Sequence, residues 1–313
     1  MPLRLQVFSL RENSYCKLVD FVVNLLPSAI IAGMLPRLIL LDADGVLWRG
    51  GQAIEHAPQF IRRARAAGIR CLLISNNAGP NRQAYLERCQ RLSLDFDPED
   101  IYSVNYLAGP YVARHYPEAK VLVLGSAMLV AEMRKSLPVT SADEWVASHQ
   151  LDGRPTDPHD LRTVLNPGFD VVFIGIDANV TYLKLCLACA AVQDGAHLLG
   201  ANPDYSFPVE NHVVLPGNGS IVELVAGVSG VEPAYLGKPA LHLLEQIELE
   251  TGVKRHEMLM VGDRIETDIK MANDAGVPAY LVLTGVVSPA DVPKALDAKV
   301  IDTLDDLARE LGI

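Results

Sequence analysis

Residues 38–48 read LILLDADGVLW. Four aliphatic residues run into two aspartates, Asp42 and Asp44, one residue apart, followed by Gly45. A short continuous apolar run closed by a turn signal reads as a strand buried on both faces, as in a parallel sheet. The two carboxylates at its end repel each other unless a cation or a reaction makes use of their closeness.

The neighbouring segments repeat the same rhythm. APQFIRRARAAG (57–68) reads as an amphipathic helix stopped by Gly68, and IRCLLIS (69–75) as the next buried strand. NRQAYLERCQRL (81–92) is a second helix and IYSV (101–104) a short strand. Alternating strands and helices imply βαβ units and a parallel sheet covered on both faces. In such sheets ligands bind at the carboxyl ends of strands, where Asp42 and Ser75 fall.

A second run of elements begins at AKVLVLG (119–125) and continues through FDVVFIGID (169–177), TYLKLCLACAAVQDG (181–195) and AHLLGANPD (196–204). A Gly/Pro/Asn-rich loop then leads to Ser220. The polar stretch 148–168, with three prolines, reads as a surface excursion. After residue 233 the first rhythm returns with LGKPALHLLEQIELETG, EMLMVGD, the helix IETDIKMANDAG (265–276) and PAYLVLTG. The expected organisation is an N-terminal extension (1–34), an α/β core (35–117 and 233–313) and an inserted α/β unit (118–232).

At 313 residues the chain has room for two such units, and half of its residues are hydrophobic. A net charge of −11 without a Lys/Arg cluster argues against nucleic acid as a partner. A small anionic substrate stays open if a cation is recruited locally. Five cysteines, at 16, 71, 89, 186 and 189, are an odd number in apolar or helical settings, which suits reduced thiols in the cytoplasm. Cys186-x-x-Cys189 lies in a helical run with no second pair, so packing is preferred over metal or redox chemistry. The apolar stretch 18–35 is broken by Asp20, Asn24 and Pro27, so a membrane span is not expected there. Arg4, Arg11 and Lys17 would suit a targeting peptide, whereas Glu12 and Asp20 would not, and residues 1–34 are read as a dispensable extension.

Four features carry the chemistry: Asp42 with Asp44, Ser75 with Asn76 and Asn77, Lys238 in GKP, and Asp263 with Asp268 in GDRIETD. Alone, each has a plain structural role as a cap, a turn, a solvated lysine or an acidic helix start. Together, each beside an expected strand or loop, they complete one another. Crowded carboxylates without His or Cys call for a hard divalent cation, Mg²⁺ rather than zinc. A carboxylate can attack phosphorus, and a second one can move the protons. Ser75 and Lys238 suit the holding of phosphoryl oxygens.

This set, DADGVLW, SNN, GKP and GDRIETDI, supported by GANPD and PGNGS, resembles the haloacid dehalogenase superfamily. Within it the sequence is similar to the NagD-like branch (subfamily IIA), which includes 4-nitrophenylphosphatases, phosphoglycolate phosphatases and pyridoxal phosphatases. The resemblance runs from about residue 36 to the C-terminus. It implies a Rossmannoid parallel-sheet core with an inserted α/β cap of the C2 type, and a Mg²⁺-dependent phosphatase of small phosphate monoesters. Asp42 is then the nucleophile and a metal ligand, and Asp44 the general acid/base, binding metal through its backbone carbonyl. Ser75, Asn76, Asn77 and Lys238 bind substrate or line the phosphate site, Asp263 ligates metal, and Asp268 supports it from behind. Only 30 residues separate Asp44 from Ser75, whereas 162 separate Ser75 from Lys238, which places the cap after the second motif.

The resemblance also implies a small phosphorylated metabolite as partner, no membrane, and a homodimer formed through the cap. Phe207-Pro208 stands where pyridoxal phosphatases carry a histidine before a proline, which weakens that substrate. Phe207 itself reads equally as a packing residue. The alternatives are a phosphotransferase of the same superfamily and a non-catalytic phosphate-binding regulator. Mutases usually place the cap between the first two motifs, and a halide leaving group has no need of Asp44.

Overall fold

A computed structural model describes residues 35–149, 168–208, 213–287, 292 and 297–313. The extension 1–34 and most of the excursion 148–168 lie outside these residues.

In chain order the strands are β1 (Leu38–Asp42), a short hairpin β2 (Trp48–Arg49) and β3 (Gln52–Ala53), then β4 (Arg70–Ser75) and β5 (Ile101–Ser103). Next come β6 (Val121–Leu124), β7 (Thr140–Ser141), β8 (Val171–Ile174) and β9 (His197–Gly200). An antiparallel pair, β10 (Ser206–Pro208) and β11 (Val214–Pro216), precedes β12 (Ala234–Tyr235). Last are β13 (Met258–Gly262), β14 (Ala279–Val282) and β15 (Ala298–Ile301).

Two parallel sheets result. The first has the order β15-β14-β13-β1-β4-β5 and the second β12-β9-β8-β6-β7. In the first sheet the strand order reverses direction between β13 and β1. That is the topological switch point, where a crevice opens beyond the strand ends. In-register pairing of Leu41 with Val261 and of Asp42 with Ile74 brings Asp42, Ser75 and Asp263 to one edge. β12 belongs to the second sheet, because Ala234 and Tyr235 pair with Leu199 and Gly200. The inserted sheet therefore reaches beyond residue 232, the limit expected from sequence; Ala-Tyr is too short to carry a readable strand signal.

Side chains on β1 alternate between two cores, as the two-residue period of a strand requires. Ile39 and Leu41 join helices Ala57–Ala66, Arg82–Arg91 and Leu304–Leu311 on one face. Leu38 and Leu40 belong to a cluster that continues through Leu107 and Leu244 to Leu129, Met133, Val171 and Phe173 of the inserted unit. A third cluster fills the far face of the second sheet under helices Tyr182–Gln193 and Asn218–Ser229. Because one apolar cluster is continuous across both sheets, the inserted unit is seated on the core. The four described cysteines are free, and Cys186 and Cys189 lie on the Tyr182–Gln193 helix. No helix among the described residues is long and apolar enough to cross a membrane.

Candidate active site

Asp42 ends β1, and the turn that follows is closed by Leu47 and Trp48 amides donating to the Ala43 carbonyl. Gly45 holds this turn at φ +90°, a conformation that favours glycine. Asp263 follows β13 directly, and Asp268 returns to it through a π-helical turn, Ile265–Ile269. The sequence reads there as the start of an ordinary helix. The wider turn goes with Asp268 Oδ2 accepting the Arg264 amide (3.2 Å) while its Oδ1 accepts from Lys238. Such turns recur at functional sites.

The carboxylates of Asp42, Asp263 and Asp268 each bring an oxygen within 4.8 Å of the others. Lys238 Nζ bridges two of them, 2.5 Å from Asp42 Oδ1 and 2.6 Å from Asp268 Oδ1, and all four side chains are buried. Burial pushes the Asp42 carboxyl up to about 8, reinforced by Asp268 and Asp263 and opposed by Lys238. Asp263 is raised too, by burial first and by Asp268 next. Burial alone would discharge Lys238, but Asp268 and Asp42 outweigh it and hold the ammonium above its ordinary range.

Asp263 Oδ2 accepts the Val286 amide at 2.9 Å, while Oδ1 is buried and has no partner among the described residues. A buried carboxylate oxygen left without a donor is costly, and a hard cation satisfies it. The donor set is all oxygen, which suits Mg²⁺ or Ca²⁺. Glycines wall this corner. A Cβ on Gly45 or Gly285 would lie 2.3 or 2.0 Å from Asp263 Oδ2, and one on Gly262 would lie 2.2 Å from Asp268 Cβ.

Of the remaining residues singled out from sequence, Asp44 and Ser75 line the same cavity, of about 760 Å³. The Asp44 side chain is exposed and accepts the Trp48 indole N–H at 2.9 Å. Ser75 is buried at the end of β4. Asn76 grips the Lys238 peptide, its Oδ1 accepting Lys238 N–H (2.7 Å) and its Nδ2 donating to Lys238 C=O (2.8 Å). Asn77 closes the next turn by accepting the Gly79 amide at 2.9 Å. Asp268 stands closer to the centre than a purely supporting position, since it is one of the three clustered carboxylates and the second partner of Lys238.

The inserted unit reaches the same cavity through Ile176, Asn202, Asp204, Phe207, Gly217 and Asn218. Asn202 Nδ2 donates to the Asn76 carbonyl at 2.6 Å, and Asn218 Nδ2 to the Asn202 carbonyl at 3.1 Å. Burial raises the Asp204 carboxyl against the opposing charges of Arg264 and Lys238. Tyr85 escaped the sequence reading: its hydroxyl donates to Ser75 Oγ at 2.8 Å. Its place in the middle of a helix carried no signal.

Comparison with known proteins fits this geometry. Residues 39–136 match the family profile described as haloacid dehalogenase-like hydrolase, and residues 235–307 match one for HAD-hydrolase-like sequences. Rat glycerol-3-phosphate phosphatase is 34% identical over 263 residues, covering 81% of each chain. The chain belongs to the haloacid dehalogenase-like hydrolases. An acid sugar phosphatase of Staphylococcus aureus is 32% identical over 257 residues, covering 82% of this chain and 90% of its own. A glycerol phosphate phosphatase of Mycobacterium tuberculosis, solved with calcium, superposes with a TM-score of 0.72 at 28% identity. That alignment covers 88% of this chain and 74% of the other. This hydrolase is a phosphatase, a phosphoric monoester hydrolase, and its α/β fold is shared with a solved protein described as “putative nagD protein”, with a TM-score of 0.75 at 23% identity.

Proposed function

We propose that this phosphatase is Mg²⁺-dependent and hydrolyses small soluble phosphate monoesters through an aspartyl phosphate on Asp42. The observation that carries the proposal is the buried cluster of Asp42, Asp263 and Asp268 with Lys238 set between two of its members. Asp42 and Asp263, with the Asp44 backbone carbonyl that the family supplies, would hold the cation, and Asp268 stands beside them. Bound there, Mg²⁺ would supply Lewis-acid polarisation of a phosphoryl oxygen and offset the carboxylate field.

The chain's own residues do the rest. An oxygen of Asp42 attacks phosphorus, and the bond to the ester oxygen breaks. Asp44 protonates that oxygen, so an alcohol leaves. Asp44 then takes a proton from water as the water oxygen attacks phosphorus. The bond to Asp42 breaks, releasing inorganic phosphate and restoring the carboxylate. Ser75 and Lys238 hold the phosphoryl oxygens throughout.

The cavity and its cap residues support a substrate of the size of glycerol phosphate or a sugar phosphate, the classes named for the relatives above. Tyr182, Leu224 and Val228, exposed on the cap helices, support pairing of two copies through the cap, to be read by sedimentation. Turnover of 4-nitrophenyl phosphate with Mg²⁺, followed by a panel of phosphorylated polyols and sugars, tests the function. Activity that survives EDTA would overturn the metal assignment.

A further inference from the structure

Behind the reacting groups lies an aromatic pair to which the reaction scheme gives no part. Trp48 is fully buried, and its ring lies 6.2 Å from that of Tyr85, centroid to centroid, at 29°. The Arg88 guanidinium covers the Trp48 ring at 4.3 Å and donates to the Gly50 carbonyl. Tyr85 and Arg88 are three residues apart on one helix, so they meet the indole from the same face.

Each ring ends on one group of the proposed reaction. The Trp48 indole N–H donates to Asp44 Oδ1 at 2.9 Å. An indole can only donate, so Oδ1 is held as an acceptor and Oδ2 is left to carry the proton. The Tyr85 O–H donates to Ser75 Oγ at 2.8 Å, and the Asn77 amide donates to the same atom at 3.2 Å. Both lone pairs of the serine oxygen are then taken. The Ser75 hydrogen has to point elsewhere, and the open direction is the cavity that Ser75 lines. Burial keeps the Tyr85 phenol above its ordinary value, so it stays a donor.

We propose that Trp48 and Tyr85 are positioning residues forming one brace. Through the indole N–H the brace orients Asp44 toward the leaving oxygen, and through the phenol O–H it turns the Ser75 hydroxyl toward the phosphoryl group. The inference rests on the acid/base role proposed for Asp44 and the phosphoryl-binding role proposed for Ser75. Because Asp44 also serves as base when the shared aspartyl phosphate is hydrolysed, the discriminating quantity is kcat/KM, which reports formation of that intermediate. There a disordered acid harms only those esters whose leaving group needs a proton. An unaligned serine hydroxyl harms all esters alike, because all share the phosphoryl group.

The test uses Trp48→Phe, which keeps a ring and removes the N–H, and Tyr85→Phe, which removes only the hydroxyl. Each is assayed on 4-nitrophenyl phosphate, whose phenolate leaves unaided, and on an alkyl phosphate that the wild-type enzyme hydrolyses. For Trp48→Phe, kcat/KM on the alkyl ester should fall about tenfold, the effect of one charge-assisted hydrogen bond. On the aryl ester the loss should stay under about threefold, with inhibition by inorganic phosphate unchanged. For Tyr85→Phe, both esters should lose equally and inhibition by inorganic phosphate should weaken about tenfold. Equal losses on both esters, or none, for Trp48→Phe would overturn its role. Unchanged phosphate inhibition would overturn that of Tyr85. Asp44→Asn is the reference. If it lacks the ester dependence, the acid/base assignment fails and the Trp48 role falls with it; if it has the dependence and Trp48→Phe does not, only the brace fails. Melting temperatures measured alongside separate a lost hydrogen bond from a lost fold.

Discussion

The two walls of the cavity are built differently. The core wall is ionic and hung on strand ends: Asp42 on β1, Asp263 after β13 and Ser75 on β4, with Lys238 and Asp268 locked between them. The cap wall carries amides, a carboxylate and an aromatic ring on a loop, a two-stranded pair and a helix start: Asn202 and Asp204, Phe207, and Asn218. Strand ends of a parallel sheet fix charges to within the tolerance that chemistry needs, whereas a loop and a short two-stranded pair can be exchanged without disturbing the fold. Under the proposed function, reaction would fall to one wall and choice of substrate to the other.

The contrast can be broken most severely at Asp42. Asp42→Asn should lower kcat on every ester by on the order of 10⁴-fold or more, because Asp42 is the group proposed to form the covalent intermediate. A residual rate near wild type in steady-state assays would place the chemistry elsewhere. Chelation should expose the like charges of the core wall. Without metal, the Asp42 carboxyl rises from 3.8 to about 8, so between those values the folded protein holds a proton that the unfolded chain has released. Its contribution to stability is full below 3.8 and is lost as pH rises toward 8. Thermal unfolding in EDTA should therefore fall to lower temperature from about pH 5 to pH 8, by about 2–4 °C per kcal/mol lost, and Mg²⁺ should flatten that slope.

Changes in the cap wall should be gentler. Asn202→Ala removes the donor to the Asn76 carbonyl, and through Asn76 it loosens Lys238, so kcat/KM should fall about tenfold on all esters. Phe207→Ala should alter 4-nitrophenyl phosphate turnover by less than about threefold while changing the ranking of sugar and polyol phosphates. An unchanged ranking would make Phe207 a packing residue and move substrate selection to Asp204 or Ile176.

The core wall was largely legible in the sequence, because its residues sit in short local motifs at strand ends. LILLD announced its burial, and the gap of 162 residues between Ser75 and Lys238 announced the insertion. Three things were not legible, each for a physical reason. Tyr85 reaches Ser75 across ten residues of chain, from a helical position that looks like any other core aromatic. The π-helical turn that holds Asp268 goes with a contact to a lysine 30 residues upstream, which local helix propensity does not register. The amide chain from Asn218 through Asn202 to Asn76 spans both sheets and exists only once they meet.

Gly45, Gly262 and Gly285 contribute no functional group, yet a single methyl at any of them would intrude on Asp263 or Asp268. Adding that methyl should act like tampering with the carboxylates themselves, displacing them from a shared cation. The site is thus fragile at positions that are chemically mute. A screen of random variants for lost activity should find alanine at these glycines alongside the aspartates, and the emptiest residues in the chain would mark out the outline of its metal pocket.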